Sequence, residues 1–202
     1  MMPAARESLL DAACTALARR PWSTVRMVDV AAAAGVSRQT LYNEFGSKEG
    51  LARALVRREA DGYLAGVERA LAARAEVRER LAAVAEWTAA AARGNPLVRA
   101  LLTGCWSERL PAPALSPAPS TSAVPAQRRA DGALPSPADL VAQVCDRAVA
   151  AMAGPGTSKA QAAELARSCE LVVRLSLSCV AAPPGEGGLV GLVRSALPPQ
   201  VR

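Results

Sequence analysis

Histidine is absent from these 202 residues, and the five cysteines, Cys14, Cys105, Cys145, Cys169 and Cys179, lie far apart with no CxxC pair. Those absences remove the Cys–His nucleophilic pair and the usual clustered ligands of a metal site, so neither a catalytic residue nor a metal ligand is expected. No Gly-rich phosphate loop is present, and no strand pattern that could seat one. Aromatic residues make up 3% of the chain and β-branched residues are sparse, too few for a sheet protein. No uncharged apolar run reaches membrane-spanning length, and "MMPAARESLL" lacks a charged segment before a long apolar one. With an odd number of widely spaced thiols, the expectation is a cytoplasmic protein with reduced cysteines, no membrane partner, no cofactor and no enzymatic activity.

What the chain has in quantity is alanine, leucine and arginine, the residues that lose least on entering a helix. Hydrophobic residues reach 51%, enough for a sizeable core, and the fold class expected is all-α. Net charge is +6 with a pI near 9.5, which suits a polyanionic partner. Residues 1–60 carry nine basic side chains against six acidic ones, and the remaining 142 carry fifteen against twelve. The positive excess is therefore densest near the N-terminus.

Apolar periodicity and breakers divide the chain. A first helix is expected from about Ala5 to Arg19, stopped by Pro21, then short helices over about Val28–Ala34 and Arg38–Glu44. Ser47 is placed to cap a long helix from Lys48 to about Ala73, in which Gly62 and Gly66 mark a bend or a close contact. Further helices are expected over about 76–93, 96–108, 137–152, 159–180 and 188–196. Between the second and third of these lies a Pro/Ser-rich loop, 111–137, that cannot continue a helix.

The stretch "AAAAGVSRQTLYNEFGSKEGL", from Ala31 to Leu51, carries the functional signal. Two short helices separated by "AGVS" have helix-turn-helix spacing. Gly35 supplies the tight turn, and Ser37 caps the next helix with Arg38, Gln39 and Thr40 in its first turn. The first turn of a recognition helix is the part that enters the major groove. There arginine bonds two acceptors on guanine, glutamine bonds adenine at two points, and threonine reaches a phosphate or a thymine methyl. Composition alone equally allows a helical hairpin with a solvated polar face.

The run "VDVAAAAGVSRQTLYNEFGSKEGL" resembles the N-terminal signature of TetR-family transcriptional regulators. Val30-Ala31, Ala34 to Ser37, Thr40-Leu41-Tyr42, Phe45, Lys48 and Leu51 match that pattern. Two positions depart from it: Asn43-Glu44 stands where the family has a variable residue and a histidine, and Arg26 stands near a customary Ser or Thr. The resemblance is specific over about residues 5–55. It implies an N-terminal three-helix head (1–47) joined by a long helix to a larger helical ligand-binding and dimerisation domain (48–202). By the same resemblance and by position, Arg38, Gln39 and Asn43 are expected to read bases. Thr40, Tyr42, Lys48 and Arg26 are expected on phosphates.

The resemblance also implies an effector cavity among the middle helices, for which Trp87, Leu101, Leu102, Cys105 and Trp106 are candidates; ordinary core is the preferred reading for any one of them except Trp106, whose indole offers both area and a donor. The helix over 159–180 is apolar nearly all round, with Leu165, Cys169, Val172 and Cys179 on one stripe and Leu171, Leu175 and Leu177 on much of the rest. The resemblance implies that this stripe, together with "GGLVGLVRSAL" from the last helix, forms a four-helix homodimer interface; a central core helix in a monomer is the other reading. The partners expected are double-stranded DNA with a pseudo-palindromic operator, a small apolar effector and a second copy of the chain. The function expected is that of a repressor relieved by the effector. A helical adaptor that binds only protein through the same faces is the alternative.

Overall fold

The computed structural model describes residues 3–112 and 134–197, and among them every regular element is helical. In order these are α1 (Pro3–Arg19), a single 3₁₀ turn (Trp22–Thr24), α2 (Met27–Ala33), α3 (Arg38–Phe45), α4 (Lys48–Ala72), α5 (Val77–Gly94), α6 (Pro96–Thr103), α7 (Pro137–Met152), α8 (Lys159–Ala181) and α9 (Gly188–Ala196). The all-α expectation is met. Most of the Pro/Ser-rich loop expected over 111–137 lies outside the described residues.

The chain gathers into two compact units. The first takes in the described residues of 1–59 and 106–134, and the second those of 60–105 and 135–202. The division falls inside α4, which runs unbroken through it for 25 residues.

In the first unit, α1 buries Leu9, Leu10 and Ala13, α2 buries Met27, Val30 and Ala31, and α3 buries Leu41 and Phe45. The start of α4 adds Leu51, Leu55 and Val56. α2 packs on α1 and α3 on α2. Pro21 ends α1, and the 3₁₀ turn it opens is pinned by a backbone bond from Trp22 N–H to the Arg109 carbonyl, 2.9 Å.

The second unit is built around α5, whose buried face carries Leu81, Val84, Ala85, Ala89 and Ala92. α8 covers α5 and α7 packs on α8, while α9 lies against α5 and α8. Serine capping boxes open α7 at Ser136 with Asp139 and α8 at Ser158 with Gln161, each satisfying two helix-end donors reciprocally. Tyr63 on α4 is buried, and its hydroxyl meets Thr88 on α5 at 3.0 Å. Burial pushes that phenol up to about 12.

One expectation needs correction, and another is met at only one of its two positions. α6 stops at Thr103, five residues before the end read from the sequence, because Gly104 takes a left-handed conformation (φ 73°) and closes it. Gly62 and Gly66 have different surroundings. A Cβ at Gly62 would meet nothing within 4 Å, whereas one at Gly66 would lie 2.1 Å from the Trp87 ring. Gly66 is thus the seat of an indole that donates its Nε1–H to the Tyr63 carbonyl of α4 at 3.0 Å.

Candidate nucleic-acid interface

The α2–turn–α3 pair is shaped by three local devices. Gly35 sits at φ 68°, where a side chain would be strained, and its N–H and that of Val36 return to the carbonyls of Ala32 and Ala31. Ser37 then caps α3, its Oγ accepting from Thr40 N–H at 3.0 Å and lying 2.8 Å from Thr40 Oγ1. Leu41 and Phe45 anchor the opposite side of α3, at 0% and 4% exposure. The result is an eight-residue helix held from below, with Arg38, Gln39, Thr40 and Asn43 all on its exposed side.

Those side chains are organised among themselves. Gln39 Nε2 donates to Asn43 Oδ1 at 2.8 Å, one turn along, which joins the two amides and leaves a carbonyl at one end and an NH₂ at the other. The Arg38 guanidinium lies over the Tyr42 ring, 5.4 Å from its centre. That stacking presents the flat, five-donor fork outward while Tyr42 itself is half-buried. The tip of α3 therefore offers a bidentate cation, a linked pair of amides and a hydroxyl, all within two turns.

The flanking positions differ in how free they are. Lys48 opens α4, donates its Nζ to the Ser23 carbonyl at 3.0 Å and lies 5.6 Å from the centre of the Trp22 ring. It is tied to the turn between α1 and α2 and keeps two N–H groups for another acceptor. Arg26 stands at the N-cap of α2 without capping it. Its Nε and Nη2 go to Asp29 at 3.1 and 2.9 Å, and Arg20 reaches the same carboxylate at 3.0 Å. Hydrogen bonding from Arg26, aided by Arg20, holds the Asp29 carboxyl below its usual range, and the same contact raises Arg26. Two guanidiniums around one carboxylate leave a net positive charge beside the start of α2.

One contact had no local signal in the sequence. Glu44 occupies the position where a histidine was expected, and it accepts from Arg6 of α1 at 2.6 Å, while the same guanidinium lies 5.0 Å from the Phe45 ring centre. The substitution exchanges a helix-end imidazole for a cross-helix ion pair that ties α3 to α1.

The residues considered for an effector cavity differ in burial and in the unit they belong to. Leu101 and Leu102 are buried on α6, Cys105 is exposed beyond its end, and Trp106 belongs to the first unit. Trp87 is occupied with Gly66 and Tyr63. A groove of about 730 Å³ lies elsewhere, between α1 and α2 of the first unit, with Asp11, Thr15, Arg20 and Asp29 on its walls. None of the five lines it. Leu165, Cys169, Val172 and Cys179 all point into the chain's own core, the last three at 0–4% exposure, so they form no outer face. The exposed large apolar residues on those helices are instead Leu171 on α8 and Leu192 on α9.

Comparison with known proteins agrees with the head. Residues 9–55 match the model of the bacterial regulatory proteins of the tetR family. Over 100 residues the chain is 43% identical to the HTH-type transcriptional regulator AlkX of Mycobacterium tuberculosis (strain ATCC 25618 / H37Rv), covering 49% of this chain and 47% of that protein. The chain thus spans about half the length of that curated relative. Among solved structures it is similar to the TetR family repressor AlkX from Dietzia sp. strain DQ12-45-1b, implicated in biodegradation of n-alkanes. The identity there is 20%, with 96% of this chain and 93% of that chain covered at a TM-score of 0.51. A tetR-family transcriptional regulator from Streptomyces coelicolor is 16% identical, with 96% and 78% covered and a TM-score of 0.56. At such identities the structural likeness is one of fold.

Proposed function

Because this chain carries the N-terminal domain of the TetR family of bacterial regulators, we propose that it is a sequence-specific DNA-binding transcriptional regulator, acting as a homodimer and as a repressor relieved by a small apolar ligand. The observation that carries the DNA-binding part is the tip of α3, where Arg38, Gln39, Thr40 and Asn43 stand exposed on a Ser37-capped helix anchored by Leu41 and Phe45. Arg38 and the Gln39–Asn43 pair read base edges in the major groove. Thr40, Tyr42, Lys48 and the Arg26 end of α2 grip the backbone, which positions the head without reading sequence.

The dimer is supported by Leu171 and Leu192, at 41% and 40% exposure, on the last two helices, where the family resemblance places a four-helix contact. A two-fold assembly presents two copies of α3 to successive major grooves and calls for inverted half-sites. The apolar character of the effector is supported by the aliphatic interior of the second unit, with Leu81, Val84, Leu101, Leu102, Leu140 and Val144 among its buried residues. α4 runs from the head into that unit and is the element through which occupancy alters half-site spacing. The reading also implies a protein that works in the cytoplasm, where the DNA is, and performs no catalysis.

Selection of bound duplexes from a random pool tests this reading. Inverted half-sites centred about one helical turn apart, or a multiple of that, are expected. A pool with no enriched sequence, or a single isolated half-site, overturns it.

A further inference from the structure

Residues 106–112 follow α6 in the chain yet belong to the first unit. Leu110 N–H returns to the Ser107 carbonyl at 3.0 Å, closing a turn with Glu108 and Arg109 at its centre. Pro111 is buried and Trp106 and Leu110 are half-buried, which seats the segment, while Glu108 and Arg109 stay exposed. The Arg109 carbonyl accepts the Trp22 N–H at 2.9 Å, the bond that pins the 3₁₀ turn between α1 and α2.

Lys48 is fastened to the same turn. Its ammonium lies 5.6 Å from the centre of the Trp22 ring and donates to the Ser23 carbonyl at 3.0 Å. One cationic residue from the start of α4 and one from beyond α6 thus hold adjacent residues of one turn, and the Ser23 side chain is exposed between solvent and the pair. Lys48 spends one N–H on the protein. Arg109 makes no side-chain hydrogen bond or ion pair among the described residues, not even with Glu108 beside it, so its guanidinium keeps all five donors. Elsewhere in this unit Arg6, Arg20, Arg26 and Arg58 are each tied to a carboxylate. An exposed, unspent guanidinium is a planar fork suited to two oxygens of one phosphate.

We propose that Arg109 is a further phosphate-binding residue of the head, taking a DNA backbone phosphate beside the one that Lys48 takes. The inference rests on the DNA-binding reading of α3. Such a contact adds affinity without reading sequence, and it makes the Ser107–Leu110 turn part of the footprint although it lies outside the helix-turn-helix in the chain. The two roles of Arg109 belong to different atoms. Its carbonyl fastens Trp22, which a carbonyl at that position does whatever the side chain, whereas only the guanidinium meets DNA. Replacing the side chain therefore separates them.

Salt titration of the full chain on a random-sequence duplex, read by fluorescence anisotropy, tests this. Arg109→Ala is expected to flatten the dependence of log K on log salt by about 0.9, the value for one phosphate on duplex DNA. Its deficit against the parent then narrows about 3.5-fold between about 50 and about 200 mM salt. Lys48→Ala combined with Arg109→Ala flattens the dependence about twice as much, and Arg109→Lys keeps the parent slope because the charge remains. Arg93→Ala removes an equal charge from an exposed site at the end of α5, in the second unit, and leaves the slope unchanged. Melting temperature and tryptophan emission of Arg109→Ala match the parent, since the bond to Trp22 uses the main chain. Arg109→Gln takes its place should the alanine variant fail to fold. The parent slope in Arg109→Ala, or equal flattening in Arg93→Ala, overturns the proposal and leaves the reading of α3 standing. A parent that binds no duplex overturns both.

Discussion

Gly62 and Gly66 lie one turn apart on α4, and replacing each by alanine is predicted to change stability in opposite directions. In an exposed helix interior, glycine to alanine stabilises by about 0.5–1 kcal/mol, because the unfolded chain loses freedom and the helix gains a better former. Gly62 meets that condition, since its added Cβ touches nothing within 4 Å. At Gly66 the same Cβ falls 2.1 Å from Trp87 Cε2 and Cζ2 and 2.5 Å from Nε1. The indole has to leave its seat, which costs about 1–3 kcal/mol as overpacking and about 1 kcal/mol more for the lost Trp87–Tyr63 hydrogen bond. Subtracting the same propensity gain leaves Gly66→Ala less stable by about 1–3 kcal/mol. Urea unfolding read by far-UV dichroism gives the sign of each change, and tryptophan emission shifts to the red only for Gly66→Ala as the indole meets water. Equal stabilisation by both substitutions would refute the packing of the Trp87 ring against Gly66 of α4.

The other predictions concern the head and the outer face of the second unit. Lys48→Ala weakens binding to specific and random duplexes alike and flattens the dependence of log K on log salt by about one unit, as measured by salt titration. Asp29 has its pKa lowered on folding, so its contribution to stability is complete above the unfolded value, about 4, and is lost as pH falls through the lower folded value. Thermal melts from pH 6 down to 2 therefore lose stability less steeply in Asp29→Asn than in the parent. Leu171→Glu places a charge on the exposed apolar site of α8 and converts the dimer to a folded monomer in light scattering, whereas a parent that is already monomeric sinks the dimer assignment.

Helix ends governed by a single residue were legible in the sequence: Pro21, Gly35, Ser37 and Ser47 all act where their side chains or missing Cβ require. Gly104 acts in the same way but was overlooked, because the apolar period of "LVRALL" reads on past it. The stripe on α8 shows a deeper limit. Periodicity reports that Leu165, Cys169, Val172 and Cys179 share a face, yet on a helix apolar nearly all round it does not say which face turns inward. A charge at Val172 therefore probes the chain's own core, and Leu171 is the position that probes an interface. The Arg6–Glu44 pair joins residues far apart in the chain and leaves no trace in local spacing, whereas a glycine at position 66 inside a helix marked a close contact without naming Trp87 as its partner.

The central claim is that the exposed tip of α3 reads base sequence. Fluorescence anisotropy with one selected duplex and one scrambled duplex, on the parent and on Arg38→Ala and Gln39→Ala, tests it most directly. The account predicts that the parent binds the selected duplex at least about 10³-fold more tightly than the scrambled one. Each variant loses about 1–3 kcal/mol on the selected duplex while its affinity for the scrambled one stays nearly unchanged. Equal affinity of parent and variants for the selected duplex, or no preference by the parent, would contradict it.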